Sequence, residues 1–205
     1  MVIASTDSKT AARHKVIRTM IAKALAKPAD GDASVDLRTE LPAAVLVPIL
    51  MWHQEPQVLL TVRSSRLMIH SGQVAFPGGK KEPQDIDAVT TALREALEEI
   101  GLASESVNVM GQLPPHVTVT GYVISPVVAF IEQRVEFYAD AREVEEIFTV
   151  PLQHLMHLSN YQVQRRTEAN GLRSYLTIPY GPYYIWGATA RILKSLAERV
   201  SHWRK

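Results

Sequence analysis

The chain contains no cysteine, which excludes disulfides, thiolate metal sites and a cysteine nucleophile. It also lacks an excess of either charge: 22 lysines and arginines against 21 aspartates and glutamates leave a formal charge of +1. So small a net charge predicts no attraction to nucleic acid or to an anionic membrane, and a polyanionic ligand has to be held by local groups. No apolar run approaches the roughly 20 residues that span a bilayer. The N-terminal Met1-Val-Ile-Ala-Ser-Thr-Asp7 lacks the basic flank and long apolar stretch of a secretory signal. The C-terminal Ser201-His-Trp-Arg-Lys205 is not a peroxisomal address of the Ser-Lys-Leu type. A cytoplasmic location is the resulting expectation. Internal repeats and low-complexity segments are also missing.

What is present is ordinary globular material. With 205 residues, 46% of them apolar, the chain is long enough for one well-filled core. Ser8 to Lys27 reads as a basic amphipathic helix, with Ala12, Val16, Met20 and Leu25 apolar and Arg13, Lys15, Arg18 and Lys23 on a solvated face. Pro28 to Ser34 reads as a linker. The division is therefore an N-terminal helical arm and linker over 1–38 and a main domain over 39–205. Ala43–Leu50 suits a strand buried on both faces, and Val58–Val62 follows it after a turn. Further strands are expected at Val74–Phe76, Val107–Leu113, Tyr122–Ile131, Ile147–Val150 and Tyr175–Ile178. Helices are expected at Ala88–Ile100 and Trp186–Val200, with a short helical turn at Leu152–Leu158. Strands interspersed with a few helices predict an α/β fold whose mixed sheet is covered by helices.

The chemistry concentrates between Phe76 and Leu102. Within Ala88–Ile100, the residues Val89, Leu93, Ala96, Leu97 and Ile100 recur as one apolar stripe, while Glu95 and Glu99 lie four residues apart on one face and Glu98 three from Glu95. Asp85 or Asp87 could cap the start, and Gly101 suits a left-handed end. Arg94, four residues before Glu98, could orient that carboxylate. Like charges at such spacing repel, and a divalent cation among them reverses the sign. An isolated Glu-x-x-Glu-Glu is most often a solvated helix face. Here Phe76-Pro-Gly-Gly79 precedes it, and paired glycines let a backbone carbonyl come close to a metal or phosphate. Hard oxygen donors without His or Cys favour Mg²⁺ or Mn²⁺ over zinc.

The segment resembles the Nudix box, Gly-x5-Glu-x7-Arg-Glu-apolar-x-Glu-Glu-x-Gly-apolar. Arg94 to Leu102 match every fixed place, whereas Gly79 to Arg94 is one residue longer than the pattern and Ile86 stands where its Glu is expected, with Asp85 and Asp87 as the neighbouring carboxylates. That expansion resembles the coenzyme A diphosphatase branch. Leu59-Leu-Thr-Val-Arg63-Ser64, Gly72 and Phe76-Pro-Gly-Gly79 are similar to that branch's second signature, except that its second Arg falls on Met68, with Arg66 two residues earlier. Leu41–Ile49, Glu143–Leu152 and Ile185–Ala190 also look like the branch, so the resemblance spans about residues 40 to 200.

The resemblance implies a Nudix fold, a mixed sheet sandwiched between helices (α/β/α). It further implies metal-dependent hydrolysis of coenzyme A or acyl-coenzyme A to 3′,5′-ADP and 4′-phosphopantetheine or its acylated form. Glu95 and Glu99 are then the leading ligands for Mg²⁺ or Mn²⁺, with the Gly79 carbonyl beside them and Glu98 as third ligand or water-orienting group. Arg94 completes the catalytic set, and a further carboxylate is sought among Glu143, Glu145 and Glu146. Arg63, Arg66 and His70 are candidates for phosphate contacts. Phe76 is a candidate to lie under adenine, with a core role as the alternative, and Trp186 is expected in the core. The expected partner is a small-molecule substrate, with neither nucleic acid nor membrane, and a homodimer is compatible with the sequence. Other Nudix substrates such as ADP-ribose or a nucleoside triphosphate, and a non-catalytic nucleotide sensor, are the rival readings.

Overall fold

The computed structural model describes residues 3–27, 41–168 and 171–201, so the linker expected at Pro28 to Ser34 lies outside the described residues. The main sheet is built on β1 (Leu41–Leu50), whose continuous apolar run is buried on both faces as expected. Along its whole length β1 pairs in parallel with β7 (Tyr122–Ile131). Its other edge is shared. β2 (Gln57–Arg63) pairs antiparallel with Ile49 and Leu50, and β4 (Gly78–Lys80) with Ala43 to Val45. Outside these lie β3 (Val74–Ala75) and β8 (Val144–Pro151) against β2, and β5 (Asn108–Gln112) and β6 (His116–Val117) against β7. A separate antiparallel sheet is formed by β9 (Gln162–Glu168), β10 (Gly171–Tyr180) and β11 (Tyr183–Trp186).

Alternation along β1 divides the interior in two. Ala44, Leu46 and Leu50 pack with Ala92, Ala96 and Ile100 of α2 (Ala88–Ile100) on one face. Val47 and Ile49 pack on the other face with Ile21 and Ala24 of α1 (Ile3–Ala26), Leu152 and Leu155 of α3 (Leu152–Met156), and Ile192, Leu193 and Leu196 of α4 (Gly187–Ser201). The sheet is therefore covered on both sides, the α/β/α arrangement expected from sequence. No helix among the described residues is long and apolar enough to cross a membrane.

Several local expectations are corrected. On α1, Ile21 and Ala24 are buried and Ile17, Met20 and Leu25 pack partly buried beside them, so Met20 and Leu25 of the expected stripe face the core whereas Val16 is exposed. Leu97 of α2 is likewise exposed, and Glu99 takes a place on the buried face. Trp186 ends β11 instead of opening α4, and it is exposed, its ring edge-on to Tyr175 at 5.7 Å. The N-terminal helix is tied to α4 through Arg199, whose guanidinium donates to the carbonyls of Ala24 and Lys27 at the end of α1.

Candidate active site

The site forms where β4, the end of β2 and the last turns of α2 meet. Asp87 caps α2, accepting from the Thr90 N–H at 2.8 Å, and Gly101 closes it at φ 68°, with its N–H donating to Leu97 O. This fixes the rotation of the helix and points Glu95 and Glu99 at β4. Two glycines make that approach feasible. A Cβ on Gly78 would lie 2.4 Å from Ala44 O, and one on Gly79 would lie 2.4 Å from Glu95 Oε1. Only a chain without side chains can pass between β1 and these carboxylates.

Glu99 is almost fully buried. It accepts from the Gly78 N–H at 3.2 Å and lies 3.8 Å from Arg63 Nη1. Burial nevertheless dominates and pushes its carboxyl up to about 8, against the lowering by Gly78 and Arg63. Glu95, half-buried beside it, is also raised, first by burial and then by Glu98 and Glu143, while Arg94 opposes the shift. Glu143 raises Glu99 as well. Of the three outlying carboxylates considered, Glu143 thus faces the pair. Glu145 instead accepts from the Ser65 N–H at 2.9 Å, and Glu146 accepts from the Tyr183 hydroxyl.

Arg94 is the hub of the arrangement. Its Nε and Nη2 donate to the two oxygens of Asp85 at 3.1 and 3.0 Å, its Nη1 to Glu98 at 3.0 Å and its Nη2 to Lys80 O at 3.0 Å, and Glu95 Oε1 lies 3.0 Å from Nη2. Asp85 is buried and also accepts from the Glu82 N–H, and the Arg94 fork holds its carboxyl down at about 2. The two aspartates that the sequence left as alternatives therefore have separate duties: Asp87 caps, and Asp85 clamps Arg94. The sequence signal for Asp85 was only its nearness to the place where the box pattern has Glu.

The remaining candidates divide. Arg63 reaches the site from the end of β2, where a bulge against β8 follows Val62, and its Nε is buried with no hydrogen-bond partner. Arg66 and His70 stand exposed on the loop that follows, and His70 Nδ1 lies 3.0 Å from Gln73 Oε1. Phe76 is not at the surface at all. It belongs to the core on the α1 and α4 side, so the adenine-stacking expectation for it is withdrawn. Glu98 is exposed and drawn to Arg94, and among the described residues no three carboxylates or imidazoles converge as a ready-made metal cage.

Comparison with known proteins places this geometry. The NUDIX domain model matches residues 40–170. The chain belongs to the Nudix family. Within the Nudix hydrolases it is 42% identical over 160 residues to the uncharacterized Nudix hydrolase NudL of Yersinia pestis (strain Pestoides F), covering 78% of this chain and 79% of that protein. The NudL protein of Yersinia pseudotuberculosis (serotype O:1b, strain IP 31758) is similar to the same extent. Among solved structures, the MutT protein of Methanosarcina mazei Go1 superposes with a TM-score of 0.52 at 17% identity, over 83% of this chain and 99% of that one, a likeness of fold. The glycine loop, the capped helix and the Arg94 hub all lie within the residues matched by that domain.

Proposed function

We propose that this Nudix hydrolase cleaves the diphosphate of coenzyme A or acyl-coenzyme A, giving 3′,5′-ADP and 4′-phosphopantetheine or its acylated form. The observation that carries the hydrolytic reading is the buried Glu99 beside Glu95 under the Gly78–Gly79 turn, two carboxyls whose ionised forms are disfavoured by burial. Burying such a pair is costly unless positive charge joins it. The donor set fits a hard divalent ion: carboxylate oxygens, with the Gly79 backbone close against Glu95, and no cysteine sulfur in the chain. Mg²⁺ or Mn²⁺ held by Glu95 and Glu99 would supply charge neutralisation at the diphosphate and a nucleophile near neutral pH.

The chain's own groups do the positioning. Arg94 fixes the direction of Glu98 and Glu95, and Asp85 fixes Arg94. Glu98, exposed and oriented in this way, is the group available to accept a proton from water. Arg63, partly exposed beside Glu99, offers the outer edge of its guanidinium to a phosphate oxygen, while Arg66 and His70 stand on the adjoining loop. The choice of coenzyme A rests on the Leu59–Gly79 signature and on the one-residue expansion before Arg94, in which Asp85 serves as the clamp.

A substrate panel tests the choice. Coenzyme A and octanoyl-coenzyme A with Mg²⁺ or Mn²⁺ are expected to release 3′,5′-ADP, with slower turnover of 3′-dephospho-coenzyme A, ADP-ribose and nucleoside triphosphates. Preferred hydrolysis of ADP-ribose or a triphosphate would reassign the substrate, and binding without turnover of any would make the chain a sensor. Replacement of Gly79 by Ala probes the turn itself. The added methyl would meet the Glu95 carboxylate, a movable group, so turnover is expected to fall roughly tenfold or more while the melting temperature shifts by only a few degrees.

A further inference from the structure

Residues 138–143 form a strap across the C-terminus of α2, where the last carbonyls of a helix have no partner within it. Tyr138 N–H donates to Ile100 O and Asp140 N–H to Glu99 O, each at 3.0 Å. The strap is thus anchored on the residue whose carboxyl lies buried in the site. It then turns tightly into β8, with Glu143 N–H and Val144 N–H both donating to Asp140 O, at 2.9 and 2.8 Å.

The other end of the strap is held by Ser64. This residue follows Arg63 at the bulge between β2 and β8, where the pairing passes from Val62 with Glu146 to Arg63 with Val144 and leaves Glu145 out. Ser64 is 3% exposed. Its N–H donates to Glu143 O at 2.8 Å and its hydroxyl to Ala141 O at 3.3 Å, while Arg66 N–H donates to that hydroxyl at 3.4 Å. A closed ring of contacts results. It runs from Glu99 O through Asp140 and the turn to Glu143, from Glu143 O to Ser64, and by the next peptide to Arg63, whose guanidinium lies 3.8 Å from Glu99. Glu143 is itself exposed, and its charge raises both Glu95 and Glu99, so the turn carries a third negative charge toward the pair.

We propose that Ser64 is a positioning residue, which through its two hydrogen bonds to the strap sets where Glu143 stands relative to Glu95 and Glu99 and thereby governs the rate of hydrolysis. The inference rests on metal-dependent hydrolysis at this site, whichever diphosphate is cleaved. Buried as it is, Ser64 acts through the strap and not on the substrate. Any residue at this position keeps the N–H that reaches Glu143 O. The hydroxyl is what serine adds, and it ties Ala141, two residues before Glu143, to the same point. Without it Ser64's place holds the turn by one hydrogen bond in place of two, and Glu143 gains freedom to swing. A misplacement of about 1 Å at a reaction centre costs up to about a hundredfold in rate.

The test is a double-mutant cycle on kcat, run with Mg²⁺ and whichever of coenzyme A, ADP-ribose or ATP the parent cleaves fastest. S64A is expected to lower kcat about tenfold, with KM within about twofold and the melting temperature within a few degrees of the parent. E143Q should lower kcat at least as far. In the E143Q background S64A should have no further effect, because the group it places is gone. S64C, close to serine in size but a poor donor, should repeat the S64A pattern and replaces it in the cycle should S64A not fold. Amide exchange at Glu143 and Val144 should quicken severalfold in S64A, and that at Gly101 should not. Equal losses from S64A with and without Glu143, a loss in KM alone, or full kcat in E143Q would each overturn the inference and leave hydrolysis standing. A lowered kcat with unchanged amide exchange would also overturn it, since the hydroxyl would then act by another route. A parent that cleaves none of the three compounds with Mg²⁺ or Mn²⁺ would remove the hydrolase reading and the role of Ser64 together.

Discussion

Replacing Glu99 by Gln is expected to reduce turnover by two or more orders of magnitude and, in the absence of metal, to make the protein more stable at pH 8. Both effects have one origin. Burial holds the Glu99 carboxyl at about 8 in the folded protein, well above its ordinary value of 4.5. Between those two values the folded chain keeps a proton that the unfolded chain has released. Stability therefore declines as pH rises from about 4.5 to about 8, by up to about 1.4 kcal/mol per pH unit. Gln cannot ionise and avoids this loss, although its own buried amide offsets part of the gain. A net advantage on the order of 2 kcal/mol at pH 8 is expected, vanishing partway down that window and reversing near pH 4.5, where only the cost of the buried amide remains. Thermal melts of parent and E99Q without metal across that range measure it.

Mg²⁺ should then separate the two proteins in the opposite sense. An ion that binds the folded parent stabilises it by mass action, and it does so more strongly at high pH, where less work is needed to remove the Glu99 proton. E99Q should gain little from the same addition. Full activity in E99Q would remove Glu99 from the metal site. A variant less stable than the parent at pH 8 would mean that Gly78 and Arg63 favour the ionised carboxylate more than burial opposes it.

The same residue shows what the sequence could and could not convey. Spacing placed Glu95 and Glu99 on one helical face, and the end at Gly101 was readable because glycine has a local backbone reason to be there, while the N-cap was narrowed only to Asp85 or Asp87. Which face meets the sheet is a tertiary matter. Leu97 continues the apolar pattern yet lies outside, while Glu99 occupies an inward position that packing alone would give to a hydrophobe. Phe76 stayed open between adenine and core for a similar reason, since a three-residue segment does not reveal which side of a sheet it will face, and the core role is the one found. β1 was legible because an apolar run buried on both faces needs no knowledge of direction. β4 was not, because Gly78-Gly79-Lys80 has little strand propensity and pairs only because its lack of side chains lets it lie against Ala44 and Val45. β9, Gln-Val-Gln-Arg-Arg-Thr-Glu, shows no apolar alternation, and its pairing is supplied by β10.

Asp85 and Asp87, two residues apart and equivalent in the sequence, should differ sharply when removed. Asp87→Ala deletes a helix cap made in the open, and its expected cost is about 1 kcal/mol with activity nearly retained. Asp85→Ala leaves Arg94 only 17% exposed and without its two-pronged partner. Removing one member of a buried pair costs about 3–5 kcal/mol, because the other charge stays in place. Here Glu95, Glu98 and the Lys80 carbonyl remain beside the guanidinium, which puts the expectation near the lower end, about 3 kcal/mol. Arg94 would also be free to turn toward either glutamate, so turnover should fall by about tenfold or more as their orientation is lost. Acid offers a check without mutation. The Asp85 carboxyl sits near 2 when folded and at 3.8 when free, so its contribution is complete above about pH 4 and is lost as pH falls toward 2. The parent should therefore lose its advantage over D85A through that window, whereas D87A should track the parent more closely. Equal losses in the two variants at pH 7 would show that Asp85 is no more than a second surface acid, and that Arg94 is held by the glutamates alone.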